Sequence, residues 1–258
     1  MKRHITVLAG LFLITATATL TAQFGGGGMA GSPSGPGLGG PMLKLFGEHT
    51  SFTANLEFQI RQAGSSDPMI MPGKIAVSDG DSRFEMDLMQ AKGNQIPPEA
   101  LGQLKQMGME KMLMISLPKK HHSYLIYPGL ESYVELPIDD PDAGKTAADY
   151  EMTVAEVGRE EIAGHACIKN NVVVTDQDGK KHESTVWNAG DLKKFPVKIE
   201  TTEQGHNIVL LFSDIEFSKP AADRFTPPPA YKKYDNMMAM MQEIMIKRMG
   251  AGANGAEK

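Results

Sequence analysis

The sequence predicts an α+β fold: about eleven antiparallel strands, one inserted helix and a C-terminal helix. Three observations carry this expectation. Apolar residues alternate with a period of two over most of the chain. Turn pairs such as Asp79-Gly80 and Asp178-Gly179 stand between neighbouring alternating runs, as they do in hairpins. The period lengthens to that of a helix in two stretches, near residues 97–107 and 236–249.

Residues 1–22 read as a secretory signal peptide. Lys2, Arg3 and His4 are basic, an apolar run follows from Ile5 to Leu20, and small residues set cleavage after Ala22 or after Ala18. The run is short for a membrane span and several Thr interrupt it. No cysteine stands near the cleavage site, so no lipid anchor forms there. The mature chain is expected to be periplasmic or secreted, with no transmembrane segment. Residues 23–41 are rich in Gly, Pro and Ser and read as a flexible linker. The folded domain is expected over 42–235, a Met-rich helix over 236–249 and a flexible tail over 250–258.

In SFTANLEFQIR, Phe52, Ala54, Leu56, Phe58 and Ile60 share one face and polar residues share the other. GKIAVSDGDSRFEMDLMQ is a hairpin turning at Asp79-Gly80. Pro97 and Pro98 suit a helix start, Leu101, Leu104 and Met107 fall three apart, and Gly108 suits its end. KMLMISL, HSYLIYP and SYVELP resume the strands, punctuated by Pro118, Pro128-Gly129 and Pro137. A polar loop follows over 138–149. Five more strands run over about 152–160, 165–175, 181–188, 196–202 and 207–217.

The formal net charge of -5 comes with no basic stripe, which excludes a nucleic-acid partner. A single cysteine, Cys167, allows no internal disulfide, and its strand-like surroundings mark it as a small buried apolar residue. Motifs for an esterase elbow, a zincin, a P-loop or a dinucleotide fold are missing, so no enzyme and no cofactor are expected. His165 and Cys167 would share a strand face, yet a nucleophile and its base usually come from separate elements. Asp139, Asp140 and Asp142 lack the spaced loop and distal Glu of a calcium site. His121 and His122 would point to opposite faces and make a poor chelate. No metal is expected there.

NMMAMMQEIMIKRM, residues 236–249, holds six methionines. Thioethers suit Cu(I), and Met237, Met240 and Met241 would be its ligands. Against this, Met237, Met241 and Met245 form an i, i+4 ladder, the mark of an amphipathic helix, and no His follows His206.

GREEIAGHACIKNNVVV from Gly158, TVWNAGDLKKFPVKIE from Thr185 and the closing FTPPPAYKKY from Phe225 carry a resemblance. A strand ending in Trp187, a polar turn and a strand opened by Pro196 resemble the periplasmic lipoprotein-carrier superfamily, typified by the outer-membrane lipoprotein chaperone. The resemblance implies an incomplete antiparallel barrel with helices across its open mouth and an apolar cavity for acyl chains. It also implies an inward arginine holding the lid. Arg61 and Arg83 are the candidates by strand location, and parity puts Arg61 on the polar face. The expected function is non-catalytic binding of a lipid or acyl chain in the cell envelope. Phe52, Leu56, Phe58, Phe84 and Met86 would line the cavity, covered by Met237, Met241 and Met245. The alternatives are a scaffold binding an envelope protein partner and Met-rich Cu(I) binding.

Overall fold

The structure is a computed structural model describing residues 40–253, apart from positions 63, 66, 94, 95, 139–142 and 204. The expected signal peptide, nearly all of the linker and the last five residues of the tail lie outside the described residues.

Two fans of consecutive hairpins make the sheet. The first is β1 (Ser51–Arg61), β2 (Met69–Ser78), β3 (Asp81–Asp87), β4 (Lys111–Leu117), β5 (His122–Tyr127) and β6 (Ser132–Pro137). The second is β7 (Glu151–Ile162), β8 (His165–Thr175), β9 (Lys181–Ala189), β10 (Phe195–Glu203) and β11 (His206–Glu216). The fans join where β1 pairs antiparallel with β11. β12 (Lys232–Tyr234) adds parallel to β6, giving the order β12-β6-β5-β4-β3-β2-β1-β11-β10-β9-β8-β7. Against the expected count of about eleven, the described residues form twelve strands. The additional KKY strand is too short to show alternation.

Helix α1 (Pro41–Leu45) starts where the linker was expected to end, α2 (Pro98–Met107) sits between β3 and β4, and α3 (Met237–Ala253) closes the chain. α2 begins at the Pro97-Pro98 pair and stops at Gly108, whose φ of 72° is the left-handed conformation a helix end favours. α3 continues four residues past the expected end at Met249.

Helix α1 shows that the sheet curls. Leu43 meets Gly80 in the β2–β3 turn, while α1 also lies against β8. Five strand spacings separate β2 from β8, about 24 Å if the sheet were flat. A five-residue helix is only about 7.5 Å long. The sheet must wrap around the helix, and the face bearing α1 is the concave one. Among the described residues it does not close, for β7 and β12 remain edges.

The concave face has one filled half. Phe46, just after α1, packs against Phe52 of β1, Phe195 of β10 and Phe212 of β11 at ring-centroid distances of 5.1–5.7 Å. A smaller core lies on the convex face, where Ala76, Ile115, Leu117 and Ile126 are covered by Phe225 from the segment after β11. There the Arg83 Nε donates to Glu85 at 2.6 Å and its guanidinium to the Arg224 carbonyl at 3.0 Å. Arg83 therefore faces outward with Ala76 and Ile115, its register partners. Arg61 is exposed, so neither arginine points into the concavity.

Candidate functional site

Strand register sorts the concave face of the first fan into rows. Phe52, Val77, Ser82, Ser116, Ser123 and Leu136 stand opposite one another in turn across β1 to β6. The next row is Ala54, Ile75, Phe84, Met114, Leu125 and Val134, ending on Tyr234 of β12. Leu56, Gly73, Met86 and Met112 make a third. Directly opposed residues of antiparallel strands share a face, so each row projects to the same side.

A cavity of about 360 Å³ opens at the serine-row end, a volume typical of small-molecule sites. Leu43 and Phe46 wall it on one side, Val77 and Ser116 on another, and Ile138 with residues 143–148 on a third. The β2–β3 turn contributes Asp79, whose carboxyl is held below its ordinary range by the hydrogen bond from Lys219 at 2.7 Å. Asp81 beside it is pushed the other way by burial.

Phe52, Leu56, Phe58, Phe84 and Met86 are all buried on this concave face. None of the five lines the 360 Å³ cavity itself. Phe52 belongs to the packed ring cluster and Phe58 pairs with Met71 and Leu210. Looser surface lies farther along the rows, where Met112, Met114, Leu125 and Leu136 are only half-buried.

Helix α3 covers part of the far edge. Lys232 and Tyr234 share the face of Ser132 and Val134. Glu243 of α3 accepts a hydrogen bond from Lys232 and also touches Tyr234, so the helix lies on the concave side. Met240 is wholly buried there, flanked by half-buried Met237, Met241 and Ile244. The expected ladder ended on Met245 instead, which is 46% exposed. Two steps of four residues advance about 80° beyond whole turns, whereas steps of three and four alternating stay on one side.

Trp187 stands on the opposite face, its ring between Lys169 at 4.9 Å and Lys198 at 4.0 Å. Its indole N–H donates to Glu160 at 2.8 Å, which satisfies a buried donor. It is a packing anchor of the second fan.

The chemistry of Cys167 is that of a buried thiol. Burial pushes its pKa up, and its Sγ contacts the His165 carbonyl at 3.3 Å. His165 directs Nδ1 to Asp191 at 2.7 Å. A thiol held neutral in this way is not an activated nucleophile. Among the described residues no group of three or more His, Cys, Asp or Glu is placed to hold a metal. Asp139, Asp140 and Asp142 lie outside them. No helix among the described residues is long and apolar enough to cross a membrane.

Parity alone marks Ser116 as inward, but serine in a strand is no signal of a cavity wall. Residues 143–148 carry no periodic signal, and α1, at the very start of the expected domain, was not read as a helix. Met42, Leu45 and Phe46, apolar at helical spacing, were the available clue.

Comparison with known proteins places these features beside others. No curated protein matches the chain. Among solved structures, it is similar to a LolA superfamily protein from Nitrosomonas europaea at 11% identity, covering 72% of this chain and 94% of that one, with a TM-score of 0.38. It is similar to LprF from Mycobacterium bovis at 13% identity over 74% and 95% of the two chains, with a TM-score of 0.40. It is likewise similar to a putative outer membrane lipoprotein-sorting protein domain from Vibrio parahaemolyticus at 13% identity over 72% and 96%, with a TM-score of 0.35. Residues 71–194, from β2 into the β9–β10 turn, match the family described as a domain of unknown function, DUF4412.

Proposed function

We propose that the chain is an exported, non-catalytic binder of a hydrophobic ligand, a lipid or acyl chain, in the cell envelope. The observation that carries this reading is the 360 Å³ cavity under α1 at the end of a curled sheet whose concave face is apolar beyond it. Pockets of this size and lining commonly hold small apolar molecules. In this reading Phe84 and Met86 belong to the wall that the hydrocarbon meets, and Phe52, Leu56 and Phe58 give that wall its packed back. Met237 and Met241, beside the buried Met240, belong to the cover, where unbranched thioether side chains adapt to irregular ligands, while Met245 lies on the outward side.

A second reading, capture of an envelope protein partner, draws on the outward side of α3. There Met238 is 70% exposed and Ile246 65% exposed, beside Met245. One experiment addresses both. Native mass spectrometry of the chain purified from its host should show a bound lipid-sized adduct, and the stripped protein should take up a fluorescent fatty acid. A chain ending at Asp235 that still takes up lipid but loses a co-purifying protein assigns α3 to the partner. A protein free of adduct that refuses both fatty acids and fluorescent lipids overturns the lipid reading. Trp187 faces away from the concavity, so the probe must carry its own fluorophore.

A further inference from the structure

The two edges of the sheet are built differently. β12 is three residues long, carries Lys232 and Lys233, and has α3 held against it through Lys232 and Glu243. Short length, lysines and a covering helix are the usual protections of an edge strand. β7, at the other end, is twelve residues long and pairs with β8 alone among the described residues. Ten of its twelve residues are exposed, so neither face of the strand is covered. Its outer side presents a row of backbone donors and acceptors ready to pair.

The side chains of β7 suit a strand with a neighbour on both sides. Met152 stands opposite buried Val174 and Val154 opposite buried Val172, yet the two are 40% and 54% exposed. A further strand would continue both apolar rows and bury them. The pairing with β8 runs unbroken from Glu151 to Glu156, and a bulge between Glu156 and Gly158 follows. A run of that length is an ordinary strand. Glu151 and Glu156 stand at its two ends, and along the whole of β7 Arg159 is the single base beside Glu151, Glu156, Glu160 and Glu161.

Charge selects the occupant. A second copy pairing β7 with β7 would lay two acidic strands together, and like charges across a pair oppose it. The β12 edge of a second copy is only three residues long, and its lysines already meet Glu243 and Glu135. Residues 23–39 of the chain itself are rich in Gly and Pro, which strands disfavour. A segment with Lys or Arg at its ends and β-branched residues between them meets none of these objections. Added strands of this kind take affinity from main-chain hydrogen bonds and selectivity from the side chains opposite.

We propose that β7 is a docking edge for an extended basic segment of another protein, which adds a strand along Glu151–Glu156. The inference is independent of what the cavity holds, for β7 does not line the cavity and lies at the opposite edge from β12 and α3. The test uses the isotope-labelled mature chain and a cyclic hairpin peptide whose outer strand reads TKTVTVKT. In the antiparallel sense, its Lys residues oppose Glu151 and Glu156 and its Val residues oppose Met152 and Val154. Two control peptides share the shape: one reads TETVTVET, and the other is N-methylated along the outer strand.

The basic peptide should shift and protect the outward amides of residues 151–156, and neither control should do so. Glu151→Lys with Glu156→Lys alters two exposed side chains. It should weaken the basic peptide about tenfold and admit the acidic one, a gain that misfolding could not produce. The inference falls if the basic peptide leaves β7 unprotected, if either control binds as well as it does, or if the double variant changes nothing. It falls also if the outward amides are protected without peptide. Protection that grows with protein concentration would make the occupant a second copy, and protection lost on trimming the chain to begin at Gly40 would make it residues 23–39.

Discussion

Two glycines at the end of α2 show how tightly single residues fit. A Cβ added to Gly129 would lie 2.5 Å from the Gly108 carbonyl oxygen, a backbone atom that cannot swing aside. Gly129→Ala should therefore cost about 1–3 kcal/mol, read as a lower urea midpoint. Gly102, in the interior of α2, has open space where a Cβ would go. Gly102→Ala should raise stability by about 0.5–1 kcal/mol, because it restricts the unfolded chain and favours the helix. A neutral Gly129→Ala would show that the α2 end and the β5–β6 turn can separate freely. At this scale the sequence was legible where burial follows parity. The alternation that put Phe52, Leu56 and Phe58 on one face is the alternation of their burial. It was illegible where common residues line a cavity: Ser116 looks like any strand serine until the fold sets it against α1.

Among the elements, α3 is held by charge as well as by Met240. Lys232 and Lys247 both reach Glu243, and their hydrogen bonds hold its carboxyl down at about 2 against a usual 4.5. A carboxylate with a lowered folded pKa stabilises the docked helix fully above its unfolded pKa. That contribution drains away as the pH falls from about 4.5 toward 2. The site is solvated, so salt should weaken it further. Hydrogen exchange over residues 237–247, corrected for intrinsic rates, should lose protection between pH 5 and pH 2. Glu243→Gln should show part of that loss already at pH 5. Protection unchanged across the range would mean that Met240 packing alone holds the helix. The position of α3 followed from its methionines, but its buried stripe did not. The i, i+4 ladder drifts around the axis, and only docking on β12 selected Met240 over Met245. β12 itself was invisible because a parallel pairing of three residues depends on what β6 offers, not on local pattern.

For the molecule as a whole, topology separates what forms easily from what forms last. Each fan is a run of hairpins whose partners are close in sequence. The seam between β1 and β11 joins residues far apart, as in the Asn55–Asp214 hydrogen bond across 159 positions. Closing so long a loop costs entropy before any contact rewards it. Hairpin signals in the sequence could announce the fans, but no local signal could say that β11 returns to β1. The seam should form after the transition state. Leu210, buried opposite Phe58, sits on it. Leu210→Ala should destabilise by about 2–5 kcal/mol, and nearly all of that should appear as faster unfolding with the folding rate little changed. Ile126→Ala, buried inside the first fan between Leu113 and Tyr133, should instead slow folding by a clear share of its cost. Stopped-flow chevrons of the two variants decide the order. If Leu210→Ala slows folding in proportion to its full destabilisation, the seam forms early, and the curled sheet closes before its fans are complete.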